Sequence, residues 1–282
     1  MVMELKDFLH KVRSELSPVY GESETNWMIR TIFEHLKGWS HVDLVLHNDY
    51  EVSDFLIGKV EMIVKRLLKK EPIQYIFGDT YWYGMTLKVT PAVLIPRPET
   101  EELVDMIVKE NNVSDMNVLD ICTGSGCIAV ALAKNLPFSN VDAIDISDEA
   151  LSVARENAKD NKAKVNFYKK DALDLIPDGE RYNIIVSNPP YIMNKERENM
   201  DANVLDYEPH IALFVPDNNP LEFYKPISEY AIKTLVPGGK LYLEINPLSA
   251  EALCDMLKGH GWTDVELIRD MYKNNRFVKA VK

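Results

Sequence analysis

Cysteine is scarce: three occur in 282 residues, Cys122, Cys127 and Cys254, an odd count without metal-type spacing. That offers no disulfide framework, so reduced thiols and a cytoplasmic location are the expectation. Positive charge is also short, with 32 Lys and Arg against 44 Asp and Glu, a formal net charge of −12. Residues 1–90 balance to −2 and residues 91–282 hold the other −10. Proteins that grip phosphate backbones display a basic stripe, so direct nucleic-acid binding is not expected. No apolar run approaches the ~20 residues of a membrane span, so no membrane association is expected. The opening Met1-Val-Met-Glu-Leu-Lys-Asp carries acids and no apolar core, and reads as neither a signal nor a transit peptide. His41 and His47 flank Asp43, but a spacing of six fits no common ligand pattern, and no metal is expected.

What the chain does have is patterned apolar sequence. Residues 4–70 carry aliphatic and aromatic positions at helical spacing, punctuated by Gly21 and by Gly38-Trp39-Ser40, and predict a small helical bundle. Tyr81-Trp-Tyr-Gly-Met-Thr-Leu-Lys-Val89 is aromatic and β-branched, which predicts a hairpin, packed against that bundle. Three prolines between Pro91 and Pro98 stiffen the next stretch into a strap, and Pro98 suits the first turn of a helix. From about residue 117 onward short apolar strands alternate with helices, the pattern of a mostly parallel, doubly wound sheet. A helix is expected over Leu221–Leu235 and a strand over Leu241–Ile245. The final two strands, Asp264–Ile268 and Arg276–Val281, are joined by too short a link for a crossover, so the last one is expected to run antiparallel. The domains expected are residues 1–72, helical and substrate-docking; 73–92, a hairpin linker; and 93–282, catalytic.

Two motifs carry chemistry. Asp120-Ile-Cys-Thr-Gly124-Ser-Gly126-Cys-Ile-Ala129 follows a strand and opens a helix, where glycines permit a tight turn and close backbone approach to a ligand. Asp145 closes the next strand, 19 residues past Gly126, where a carboxylate accepts the hydroxyls of a ribose. The loop alone does not decide between a dinucleotide, which brings a pyrophosphate, and S-adenosylmethionine, which brings a ribose and an amino-acid tail. Asp120 is placed to lie near the ammonium of such a tail.

The second motif, Asn188-Pro-Pro-Tyr191, ends a strand at the carboxyl edge where open α/β sheets bind ligands. The Asn188 side chain offers a carbonyl acceptor, and Pro190 holds Pro189 extended so that its backbone carbonyl has a fixed direction. Together they suit both N–H groups of a planar amide or amino group, with Tyr191 as a flat face. Held in line with an electrophilic methyl, such a nitrogen gains orientation and transition-state hydrogen bonds. Residue chemistry stops there: a planar nitrogen, in an amide or in an adenine ring.

With the segments L-I-P-R-P-E-T-E-E-L-V (94–104), V-L-D-I-C-T-G-S-G (118–126), D-I-S-D-E-A-L (145–151), S-N-P-P-Y-I (187–192) and D-M-Y-K-N-N-R-F (270–277) in this order, the chain resembles the HemK/PrmC family over roughly its whole length. The resemblance implies a class I S-adenosylmethionine-dependent methyltransferase: a Rossmann-like, mostly parallel seven-stranded sheet with an antiparallel last strand, behind a small N-terminal helical bundle. It implies methylation of the N5 amide of a glutamine in the Gly-Gly-Gln loop of peptide chain release factors, and a monomer is expected. N-P-P-Y by itself is shared with adenine-N6 nucleic-acid methyltransferases, the alternative. Carried over, Asp120, Cys122, Thr123, Gly124, Ser125 and Gly126 would hold the cofactor with Asp145, Ile146, Asp171, Ala172 and Asn188. Asn188, Pro189 and Tyr191 would be catalytic, and with Pro190 would hold the glutamine, closed in by Arg97, Glu99 and Thr100. Cys122 stands where the family has glycine, Ala172 where relatives often have a large aromatic residue. Asn219-Pro220 and Asn246-Pro247 replace glycine-containing turns.

Overall fold

The computed structural model describes residues 3–177, 179 and 181–282. The chain divides into two compact units, Met1–Gly78 with Ala202–Tyr207, and Asp79–Asp201 with Glu208–Lys282. The segment expected as a 73–92 linker is thus shared between them, its hairpin belonging to the second unit.

The first unit is helical: α1 (Leu5–Lys37), α2 (His41–Leu46), α3 (Asp54–Leu67) and α4 (Ile73–Phe77), with the short helix Ala202–Tyr207. Gly21, at φ 75° and ψ 169°, breaks α1 into two arms, and Gly38 ends it in the left-handed conformation with its N–H donated to the Glu34 carbonyl. Ser40 and Asp43 form a capping box that starts α2. Asp43 therefore serves a helix end, and His47 stacks on Trp39. Leu5, Phe8, Leu16, Ile32, Phe33 and Leu67 fill the core.

The second unit opens with the hairpin β1 (Asp79–Trp82) and β2 (Met85–Lys88) and then the proline strap. Pro98 begins α5 (Pro98–Glu110), as its locked φ and missing N–H favour. There follow β3 (Asn117–Ile121), α6 (Cys127–Asn135), β4 (Asn140–Asp145), α7 (Asp148–Asp160), β5 (Val165–Lys169) and β6 (Tyr182–Ser187). Last come α8 (Tyr224–Thr234), β7 (Leu235–Glu244), α9 (Ala250–Gly259), β8 (Thr263–Arg269) and β9 (Asn275–Val281). The seven strands order as β8-β9-β7-β6-β3-β4-β5, with β9 antiparallel to both neighbours and the other pairings parallel. This is the expected seven-stranded class I methyltransferase sheet.

Three details differ from expectation. The helix foreseen from Leu221 begins at Tyr224, and the strand foreseen from Leu241 begins at Leu235. Leu235 pairs with Tyr182, the register jumps, and pairing resumes at Lys240 opposite Ile184. The cause is Val236-Pro-Gly-Gly239, a proline without an N–H and two glycines inside a strand. The hairpin, expected against the bundle, lends Trp82, Met85 and Leu87 to the core that lies between the sheet and α5 and α6. The opposite face of the sheet is covered by α8 and α9.

Candidate active site

The order of strands places the site. From β3 the chain runs to β4 and β5 on one side and then crosses back to β6 on the other side of β3, so the carboxyl ends of these strands open a crevice at the topological switch point. Five strands end on residues of interest: β3 at the glycine loop, β4 at Asp145, β5 two residues before Asp171, β6 at Asn188 and β7 at Glu244.

The glycine loop is shaped by its own carboxylates. Asp145 accepts the Gly124 N–H at 2.9 Å and the Ser147 N–H at 3.0 Å, bridging the loop to the start of α7. Thr123 donates its N–H to the Ile144 carbonyl at 3.0 Å. Gly126 has φ 79°, and a Cβ there would stand 2.9 Å from the Ala154 Cβ, so α6 and α7 approach too closely for any side chain. Cys122, at φ 61°, is a non-glycine residue in the left-handed region, which is the physical reason glycine suits that position. Beneath the loop Asp120 is fully buried, accepting Thr123 Oγ1–H at 2.6 Å and the Ala129 N–H at 3.2 Å. Its Oδ1 has no partner among the described residues. Burial pushes the Asp120 carboxyl up to about 7, against the pull of those two bonds. Asp145 is raised as well, again chiefly by burial.

A cavity of about 250 Å³ lies along this edge. Of the residues singled out from sequence, Arg97, Thr100, Cys122, Thr123, Gly124, Ser125, Asp145, Ile146, Asp171, Ala172, Asn188 and Pro190 line it. Asp120, Gly126, Pro189, Tyr191 and Glu99 do not; Asp120 lies under the loop and Gly126 against Ala154. The wall is mostly apolar, with Ile146, Ala172, Leu173 and Phe223, and the carboxylates of Asp145 and Asp171 open onto it. That donor set fits an adenosyl group: acceptors for ribose hydroxyls and a flat apolar slot for the base.

A model of the PrmC N-terminal domain matches residues 7–78, and one of the methyltransferase small domain matches residues 99–206. A release factor glutamine methyltransferase of Flavobacterium psychrophilum is 40% identical over 282 residues, 99% of this chain and 99% of its own length. One of Bacteroides thetaiotaomicron is 44% identical over 270 residues, covering 95% and 97%. This chain belongs to the release factor glutamine methyltransferase family. Among solved structures, a methyltransferase from Pyrococcus furiosus superposes with a TM-score of 0.53 at 20% identity, over 77% of this chain and 96% of that one. The human methyltransferase 10 domain containing protein gives 0.53 at 19% identity, over 71% and 90%. At such identity these two show the fold.

Membership of the family leaves open how this chain supports its N-P-P-Y segment, and here the structure adds residues. Glu244, 1% exposed, accepts Thr100 Oγ1–H at 2.6 Å and the Tyr191 hydroxyl at 3.1 Å. Burial raises its carboxyl, while those two hydroxyls and the field of Arg276 favour the charge. The Asn188 amide nitrogen donates to Thr100 Oγ1 at 3.4 Å, and the Asn246 amide donates to the Tyr191 carbonyl at 3.0 Å. On the strap, Arg97 Nη2 meets Glu208 Oε1 at 2.6 Å, and Glu208 Oε2 accepts the Ile95 N–H at 3.1 Å. The Trp82 indole N–H donates to the Arg97 carbonyl at 2.8 Å. Glu244, Glu208 and Asn246 escaped sequence reasoning. For Glu244 a signal existed: a lone acid ending the apolar run Leu241-Tyr-Leu, at the sheet edge where ligands bind.

Proposed function

We propose that this chain transfers the methyl group of S-adenosylmethionine to the side-chain N5 of the glutamine in the Gly-Gly-Gln loop of a peptide chain release factor. The observation that carries the reading is that Asn188 opens onto the same cavity as Gly124, Asp145 and Asp171, so an amide site and an adenosyl site share one chamber. When bound, the cofactor supplies a sulfonium-activated methyl group. Thr123, Gly124 and Ser125 would hold its amino-acid tail, Asp145 its ribose, and Asp171 with Ala172 its base. Asn188 Oδ1, on the cavity wall, would accept one N–H of the glutamine amide, and the carbonyl of Pro189, which the wall does not include, is the acceptor assigned to the other. After transfer, the amide nitrogen sheds a proton to water. No strong base is needed, because activation resides in the sulfonium; orientation and hydrogen bonding are what the chain contributes.

The strap residues Arg97 and Thr100 close the chamber, while Glu99 stands off its wall, and the N-terminal helical unit docks the release factor. The enzyme works as a cytoplasmic monomer without binding nucleic acid. No helix among the described residues is long and apolar enough to cross a membrane. Labelled S-adenosylmethionine incubated separately with release factor, its Gln→Ala variant, DNA and rRNA tests the proposal. Label is expected on the release factor alone, and label confined to nucleic acid would instead establish the adenine-N6 alternative. Asn188→Ala is expected to lower kcat by at least about 100-fold, the scale of one lost transition-state hydrogen bond, with cofactor affinity kept.

A further inference from the structure

An Asn amide has two ends of nearly equal shape, and only one of them serves a glutamine amide. With Oδ1 toward the cavity Asn188 accepts an N–H from the substrate; with Nδ2 toward it, two NH₂ groups face one another and neither is satisfied. Something must hold the choice before substrate arrives.

We propose that Glu244 and Thr100 form a proton-counting lock that sets the orientation of the Asn188 amide; this rests on the glutamine methyltransferase reading above. Thr100 is 2% exposed on the first turn of α5, and Glu244 is 1% exposed at the end of β7. The Thr100 hydroxyl carries a single proton, and a carboxylate can only accept. At 2.6 Å that proton belongs to Glu244 Oε2, a short, charge-assisted bond. Thr100 Oγ1 then offers Asn188 nothing but lone pairs, and only the NH₂ end of the amide can answer them, as it does at 3.4 Å. Its carbonyl is left for the cavity that Asn188 lines.

The 3.4 Å contact is long, so the lock works less through its strength than through excluding the other orientation, in which Oδ1 would face an oxygen unable to donate. The second oxygen of Glu244 is occupied by the Tyr191 hydroxyl, so the same carboxylate also holds the last residue of N-P-P-Y. Neither Glu244 nor Tyr191 lines the cavity. Glu244 is therefore a positioning residue, acting on the amide through Thr100.

The lock predicts a change in specificity, which mere loosening of the fold would not give. A release-factor loop peptide with glutamine, and its Gln→Glu counterpart, are titrated against the full chain in the presence of S-adenosylhomocysteine. Wild type is expected to prefer the glutamine peptide. Thr100→Val removes the hydroxyl, and Glu244→Met frees its proton to turn toward Asn188. In both, the amide can present NH₂ to a carboxylate, so the preference is expected to fall about tenfold, with kcat on the glutamine loop falling by a similar factor. Thr100→Ser, which keeps the hydroxyl, restores the preference. If Glu244→Met does not fold, Thr100→Val and Thr100→Ser carry the test between them. An active wild type whose preference survives in Thr100→Val overturns the lock alone. A wild type that transfers no methyl to the loop overturns the proposed function, and the lock falls with it.

Discussion

Asp120 gives the most quantitative consequence of the structure. It is fully buried, held by two neutral donors, with one oxygen unpartnered among the described residues, and its carboxyl is pushed up to about 7. In the unfolded chain the same group titrates near 3.9. Folding therefore takes up a proton between about 3.9 and about 7. The stabilisation is fully present below the unfolded value, declines as pH rises through the window, and is gone above the folded value. From pH 5 to pH 8 the loss amounts to about 3 kcal/mol, at 1.36 kcal/mol per pH unit over the two units below the folded value. Asp120→Asn keeps an oxygen for Thr123 and Ala129 and places an uncharged NH₂ at the orphaned position. Wild type and variant are expected to be similar in stability near pH 5, and the variant more stable by about 3 kcal/mol near pH 8. Guanidinium unfolding of both proteins at several pH values, compared through midpoint and slope, measures the difference. A gap between the two that stays constant across pH 5–8 would refute the assignment.

Four further positions probe the scaffold. Gly126→Ala should cost about 3 kcal/mol, since its Cβ would meet Ala154 at 2.9 Å with φ at 79°, whereas Gly124→Ala, with no atom within 4 Å, should cost only about 1 kcal/mol of backbone strain; denaturation midpoints of the two variants decide. Asn157, 1% exposed, binds Lys88 N–H and carbonyl at 2.6 and 3.0 Å and the Ser125 carbonyl at 2.8 Å, so Asn157→Ala should cost about 3 kcal/mol and weaken cofactor binding measured by calorimetry. Glu208→Ala leaves Arg97 and the Ile95 N–H unanswered and should cost about 3 kcal/mol, with kcat/KM falling more than in the milder Glu208→Gln, which can still accept the Ile95 N–H.

Periodicity was a sufficient guide to most of the fold. Apolar runs of four to six residues with helices between them could only be buried as a covered parallel sheet, and the short Met271–Asn275 link forced β9 to run antiparallel. It misled at Leu235–Gly239, where glycine and proline signal an end but a partner strand recaptures the chain. Motif spacing placed Thr123, Gly124, Asp145 and Asn188, which line the cavity, on loops at strand ends, while Arg97, Thr100, Asp171 and Ala172 were named only through the family resemblance. It could not find their supports. Glu244 lies 144 positions from Thr100, and Glu208 lies 111 from Arg97, distances across which no local pattern connects a donor to its acceptor. Nor could it foresee that Asp120 lies under the glycine loop and off the cavity wall, since strand-end acids at either depth read alike in one dimension.

The buried acids of the second unit separate by what holds them. Asp270 and Glu208 each meet an arginine, Arg276 at 3.1 Å and Arg97 at 2.6 Å. Burial pushes the Asp270 carboxyl up, but the Asn274 N–H and Arg276 outweigh it, and the group ends below its ordinary range. Asp120 and Glu244 take their hydrogen bonds instead from neutral donors, Thr123 and Ala129 for one, Thr100 and Tyr191 for the other, with Arg276 reaching Glu244 only through its field, and both end above it. A buried carboxylate without a cation against it costs stability, and a chain selected for stability alone would replace it. Both lie at the carboxyl edge of the sheet, one beneath the glycine loop and one behind Asn188. A sulfonium-bearing ligand in the neighbouring cavity would further favour the charged form of each, adding to the field of Arg276 at Glu244. The paired acids hold the strap and the last hairpin in place, and the unpaired ones leave the field of the site to be completed by what it binds.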